Sequence, residues 1–158
     1  GEGEGFDENI LGIHDVMVHD YGPGHRIVSF HAEVPADGDM VALHDIVDNL
    51  ERKLQRDLEC VVTVHMDPIA INDCEVQELK CDVIDLVVEI DPRITIHDFR
   101  VVKGETHTNL IFEVVVPYKF KMPKEQLTAL IEKKTKEKLG EQYFTVVEVD
   151  RDNYIHII

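Results

Sequence analysis

The chain has 158 residues, 44% of them hydrophobic, which is enough for one sizeable core or two small ones. Its 32 acidic and 16 basic residues give a formal net charge of −16 at pH 7, which disfavours nucleic acid and anionic lipid surfaces and favours cations or a basic partner. The apolar runs are far shorter than the roughly 20 residues of a bilayer-spanning helix and no targeting signal is evident, so we expect a soluble globular protein.

Residues 11–34 predict two strands around a glycine turn. This stretch, LGIHDVMVHDYGPGHRIVSFHAEV, contains four of the nine histidines. Side chains alternate along a strand, and the apolar side of the second strand consists of Val28, Phe30, Ala32 and Val34. His31 therefore faces away from the core. His14 begins the first strand in a direction that the pattern leaves open, and His19 and His25 flank the turn as exposed residues.

An amphipathic helix is predicted next, over about residues 39–57, with Asp37 and Asp39 as capping candidates. Its apolar face consists of Leu43, Ile46, Val47, Leu50 and Leu54. His44 lies at the margin of that face, where its side chain could look across at the sheet.

His65 and Asp67 share one face of the third predicted strand, VVTVHMDP, and lie about 7 Å apart at a rise of ~3.3 Å per residue. Both could reach one zinc ion, or the carboxylate could bridge two ions. Each histidine taken alone is more often an ordinary residue than a ligand. Several imidazoles and one carboxylate on the same side of a small unit, however, form a ligand set that suits zinc and related divalent ions.

The second half of the chain repeats the first. GIHDV at 12–16 returns as TIHDF at 95–99, 83 residues further on, and HRIVSFHAEVP at 25–35 returns as HTNLIFEVVVP at 107–117. Each half is therefore predicted to contain two strands, an amphipathic helix and a third strand.

A further helix is predicted to lead into the second half. In DCEVQELKCDVIDLVVEID, one helical face consists of Val76, Leu79, Val83, Leu86, Val87 and Ile90. The last helix covers about residues 123–139, with Pro123 in its first turn and Gly140 at its end. The few residues before the first strand leave no room for an equivalent leading helix, which suggests a fragment of a longer chain. We expect residues 1–9 to be a flexible end.

The first half resembles the cytoplasmic C-terminal domain of cation diffusion facilitator transporters, on LGIHDVMVHDYGPG, FHAEV, ALHDIVDNLERKL and VTVHMDP. The resemblance covers about residues 10–69. It implies an α+β, ferredoxin-like and metallochaperone-like fold that forms a homodimer below a transmembrane zinc or manganese exchanger, at the cytoplasmic face of the cell membrane. Residues 70–158 resemble an additional ferredoxin-like unit of some members, with THTNLIFEVVVP as the recognisable part. Two tandem ferredoxin-like units are therefore expected.

The resemblance also implies a metal site for zinc or another divalent transition metal. Its ligands are the histidine of the G-x-H-D motif, the histidine before x-E on the second strand, one histidine of the helix, and both residues of H-x-D-P. In this chain these positions are His14, His31, His44, His65 and Asp67.

The repeat does not reproduce this set of histidines. His14, His31 and His65 correspond to His97, Glu113 and about Asp150. A second, oxygen-rich site that combines these three residues with Asp152 is conceivable, but a structural copy is the expectation.

Two classes of function stay open. The first is a regulatory domain without enzyme activity, in which a cytosolic cation favours a closed homodimer and thereby biases the transmembrane domain of the same transporter. A metal-free dimerisation module is a variant of this class. The second class is a dinuclear metal hydrolase, against which stands the lack of an extra general base beside the cluster or of a substrate lid.

Overall fold

A computed structural model describes residues 7–71 and 73–152, and the chain divides into two compact units, residues 1–71 and 72–158. Of the flexible end predicted for residues 1–9, residues 1–6 lie outside the described part. No helix in the described ranges combines the length and apolarity needed to cross a bilayer.

The first unit is a three-stranded sheet with a helix on one face. Its elements in chain order are β1 (Gly12–Asp20), β2 (Arg26–Pro35), α1 (Met40–Leu58) and β3 (Val61–Ile69). Strand β2 lies in the middle, antiparallel to β1 and parallel to β3. Helix α1 begins where the sequence predicts, because the Asp39 side chain accepts a hydrogen bond of 3.1 Å from the Val41 backbone N–H.

The core of the first unit lies between α1 and the sheet. It is built from Phe30, Ala32, Val34, Leu43, Val47 and Val62. The predicted apolar side of β2 is therefore confirmed as the side that faces α1. We call the opposite side of the sheet, which carries His31, the open face.

The second unit has the same sheet and one more helix. Its elements are α2 (Cys74–Ile90), β4 (Thr95–Lys103), β5 (Thr108–Val116), α3 (Lys124–Leu139) and β6 (Tyr143–Arg151). Strand β5 is central, antiparallel to β4 and parallel to β6. The predicted apolar face of α2 is buried from Val76 to Val87, and Leu127 and Ile131 of α3 are fully buried. The α+β fold with two ferredoxin-like units is confirmed.

The repeated IHD motif marks a β-bulge in each unit. Strand pairing shifts register after His14 in β1 and after His97 in β4. In both bulges the following aspartate has left-handed backbone geometry, with φ of 52° at Asp15 and 54° at Asp98. Aspartate tolerates this conformation better than most residues, so the motif fixes where each first strand bends.

Candidate metal centre

Three histidines lie side by side on the open face of the first sheet, one on each strand. The register pairs His14 with His31 and His31 with His65. The ring centroids are 4.9 Å apart in the first pair and 4.7 Å apart in the second. In β2 and β3 the strand neighbours of His31 and His65 pack in or against the core beneath α1, so the two histidines point to the open face, and the register places His14 beside them.

A second row on the same face contains Gly12, Glu33 and Asp67, again one residue from each strand. The Asp67 carboxylate contacts all three imidazoles. Its Oδ2 lies 3.0 Å from Nε2 of His14 and 2.9 Å from Nδ1 of His31. Its Oδ1 lies 3.2 Å from Nε2 of His65, so the predicted common face of His65 and Asp67 is confirmed.

The cluster is buried at β1 and open to solvent at β3. The exposed fraction of the side chain is 8% for His14, 36% for His31 and 67% for His65. A cation can therefore approach from the side of His65, whereas His14 forms the enclosed end.

The enclosed end holds a proton at neutral pH. Burial opposes protonation of His14, but hydrogen bonds to Asp67 and Glu33, and the charges of both carboxylates, raise its pKa to about 9. Burial likewise acts against ionisation of Asp67, yet the hydrogen bonds from His14 and His31 lower its pKa below the ordinary value. The ring of His14 thus stands between the carboxyl groups of Glu33 and Asp67, where a divalent cation would also be favoured.

The donor atoms are close enough together for a metal ion. Potential ligand atoms of His31, His65 and Asp67 all lie within 4.8 Å of one another, as do those of His14, Asp15 and His31. Imidazole nitrogen and carboxylate oxygen are the donors that zinc and similar borderline ions take in proteins. The chemistry of the cluster therefore fits such an ion.

Four of the five residues predicted as ligands come together, and His44 does not join them within one chain. His44 is exposed on α1, and α1 packs against the face of the sheet opposite the cluster.

Two acids near the cluster were not predicted. The sequence indicates that Glu33 shares the strand face of His31. It does not indicate that Gly12, which lies opposite in the strand pair, leaves space for the buried carboxylate. Asp15 joins His14 through the bulge, whose backbone geometry the motif alone does not specify.

The second sheet carries different chemistry at the equivalent positions. Its register pairs His97 with Glu113 and Glu113 with Glu148. The predicted counterpart of His65 was therefore wrong: it is Glu148, and Asp150 occupies the place of Asp67. Burial, a hydrogen bond to Asp150 and the charge of Asp150, followed by those of Glu148 and Asp98, raise the pKa of Glu113.

The other predicted members of the oxygen-rich site do not complete it. Nε2 of His97 lies 3.0 Å from the Thr95 hydroxyl, and Asp152 follows the end of β6. Within residues 73–152, no group of three potential ligand atoms is as close together as in the first unit.

Residues 5–69 match the sequence model of the family described as "Cation efflux protein, cytoplasmic domain". The match covers the first unit and all the residues of the cluster. No curated protein matches the chain significantly.

Proposed function

We propose that the chain is a cytosolic regulatory and dimerisation domain of a membrane cation efflux transporter, because residues 5–69 match the family of cation efflux protein cytoplasmic domains. Its ligand is zinc or another divalent transition metal. The observation that carries the proposal is the row of three imidazoles, one from each strand, around the common carboxylate of Asp67.

The residues of the cluster have different roles in binding the ion. His31, His65 and Asp67 form the accessible group, and His14 provides a further nitrogen at the enclosed end. A bound divalent ion supplies positive charge near the carboxyl groups of Asp67 and Glu33. For His14 to ligate, its Nε2 must release the proton that it shares with Asp67, so binding is linked to proton release.

A homodimer is part of the proposal. Three apolar residues of the open face are exposed, with fractions of 52% for Met17, 39% for Ile27 and 55% for Val61. Apolar side chains grouped beside a polar site are typical of a surface that a partner covers. His44 can reach the cluster only from a second copy, because its own helix lies on the other face of the sheet.

Regulation then follows from linkage. A ligand shifts an equilibrium only by its preference for one of the states, so the ion favours a closed dimer to the extent that closure improves its coordination. The net charge of −16 per chain opposes association, and divalent cations reduce that repulsion.

Zinc-dependent stabilisation tests the metal site. Zinc at about a hundredfold excess over its Kd should add ~2.7 kcal/mol to the free energy of unfolding of the first unit. The double variant His65→Ala, Asp67→Ala should lose most of this gain in thermal melts with zinc and with chelator. The matched control is Glu148→Ala with Asp150→Ala, the equivalent pair in the second unit, which should keep the gain.

Measurements of oligomeric state, zinc uptake and hydrolytic activity distinguish this proposal from the alternatives. Sedimentation should give about twice the chain mass of 18.1 kDa, and a strict monomer with and without zinc would contradict the dimer. A dimer that takes up no zinc would be the metal-free dimerisation module. Zinc-dependent hydrolysis of a phosphodiester or amide would indicate the hydrolase, and we expect zinc uptake without turnover.

A further inference from the structure

Glu33 is a buried carboxylate on the middle strand, in the second row of the open face, between Gly12 and Asp67. It is 2% exposed, and among the described residues it is the one charged side chain in the buried class. Burying a carboxylate is unfavourable unless a charge or hydrogen bonds compensate for lost hydration. Its Oε2 accepts a hydrogen bond from Nδ1 of His14 at 3.1 Å.

The two ring nitrogens of His14 face different partners. With Nδ1 bound to Glu33, the opposite nitrogen, Nε2, points at Asp67 Oδ2 across 3.0 Å. A histidine that ligates a metal commonly donates its other ring N–H to a carboxylate, which fixes the tautomer and the ring orientation and makes the ligating nitrogen more basic.

Gly12 provides the space for the Glu33 carboxylate. It lies opposite Glu33 in the strand pair, and a Cβ at this position would stand 3.2 Å from Glu33 Oε2. Such a contact is tighter than ordinary van der Waals packing, so the carboxylate would have to shift by a few tenths of an ångström.

The second unit changes both positions together. There Thr95 lies opposite Val115, in the places of Gly12 and Glu33. The unit that lacks the row of imidazoles therefore also lacks the buried acid and the glycine opposite it. This indicates that Gly12 and Glu33 belong with the cluster and are not required by the shared fold.

We propose that Glu33 is a positioning residue that holds His14 with Nε2 directed at the metal, and Gly12 leaves room for its carboxylate. The inference rests on the proposed function, since it assumes that the cluster binds a divalent ion. Glu33 acts through His14 and does not itself contact the ion.

Three variants of the full chain test the role of Glu33 through the zinc Kd, measured in competition with a chromophoric chelator. Glu33→Val should weaken zinc binding by about 10- to 100-fold. Glu33→Gln keeps an oxygen that accepts from Nδ1 and should recover most of that loss. The control is Glu51→Val: Glu51 accepts from the Val64 backbone N–H at 3.0 Å, away from the cluster, and its variant should bind zinc with the original Kd.

Nitrogen-15 NMR of the His14 ring gives a second readout that a purely structural role would not move. With zinc bound, the unmodified protein and Glu33→Gln should show a protonated Nδ1 and a ligated Nε2, and Glu33→Val should lose this preference. If Glu33→Val does not fold, the spectrum of the unmodified protein still decides, because ligation through Nδ1 of His14 would overturn the inference.

The outcomes separate the inference from the proposed function. Failure of the unmodified chain to bind zinc would overturn both. Zinc binding with an unchanged Kd in Glu33→Val would overturn the inference alone. Equal losses of zinc affinity in Glu33→Gln and Glu33→Val would also overturn the inference, because they would indicate that Glu33 is itself a ligand. An equal loss of zinc affinity in Glu51→Val would overturn it too, because it would indicate general destabilisation.

Discussion

The open face of the first sheet and the equivalent face of the second, which carries Glu113, have the same strand register and different side chains. Both have a bulge after the first histidine and a row of three residues across the strands. The row is His-His-His in the first unit and His-Glu-Glu in the second. In the second row the neighbouring carboxylates repel one another when ionised, and the raised pKa of Glu113 reflects burial and that repulsion. The fold therefore supplies the positions, and residue identity decides whether they make a transition-metal site.

The helix sides of the two sheets differ as well. Val18 of β1 is 61% exposed, whereas its counterpart Val101 of β4 is 0% exposed. In the second unit α2 packs against β4 and α3, and no helix in the described part of the first unit corresponds to it. Accordingly, among the described residues, 14 buried apolar residues belong to the second unit and seven to the first. The first unit has the smaller core, so binding of a ligand or partner would contribute a larger share of its stability.

The largest expected effect concerns the core of the second unit. Leu127 is 0% exposed between α3 and the sheet, and Leu127→Ala should lower the free energy of unfolding by about 2–5 kcal/mol. The loss should be the same with zinc and with chelator in denaturant titrations. Leu130→Ala, on the same helix but half-buried, is the control and should lose less. A zinc-dependent loss at Leu127 would mean that the two units share metal chemistry.

A second prediction concerns a variant in which the second sheet carries the row of histidines found on the first. Glu113→His with Glu148→His completes a row of three histidines beside Asp150, and calorimetry should detect one additional zinc ion per chain. The new site should bind about 10- to 100-fold more weakly than the first, because Val115 stands where Glu33 supports His14. Glu105→His with Glu141→His makes the same change of charge at exposed positions away from the sheet and should add no ion of comparable affinity.

A smaller effect is expected from pH in the presence of chelator. The pKa of His14 is about 9 in the folded chain and about 6.5 when unfolded, so the folded state binds the proton more tightly. Its contribution to stability is complete below about pH 6.5 and is lost as the pH rises toward 9. Denaturant titrations across this range should therefore show declining stability that His14→Ala abolishes. His97→Ala, the equivalent change in the second unit, should leave the decline unchanged.

The sequence was sufficient for the elements and for the common face of His31, His65 and Asp67, because period-two and helical patterns determine which side of an element is apolar. It did not predict the burial of Glu33, since that depends on a glycine on the neighbouring strand. It also misplaced the counterpart of His65, because β6 contains no repeated motif and the loop before α3 differs in length from the loop before α1.

A crystal structure of the zinc-bound chain, with anomalous data collected at the zinc edge, tests the central claim most directly. The account predicts an anomalous peak within ligand distance of His31, His65 and Asp67, with Nε2 of His14 directed at the cluster, and no peak of similar height over Glu113 and Glu148. Zinc bound at the second sheet, with none at the first, would contradict the account.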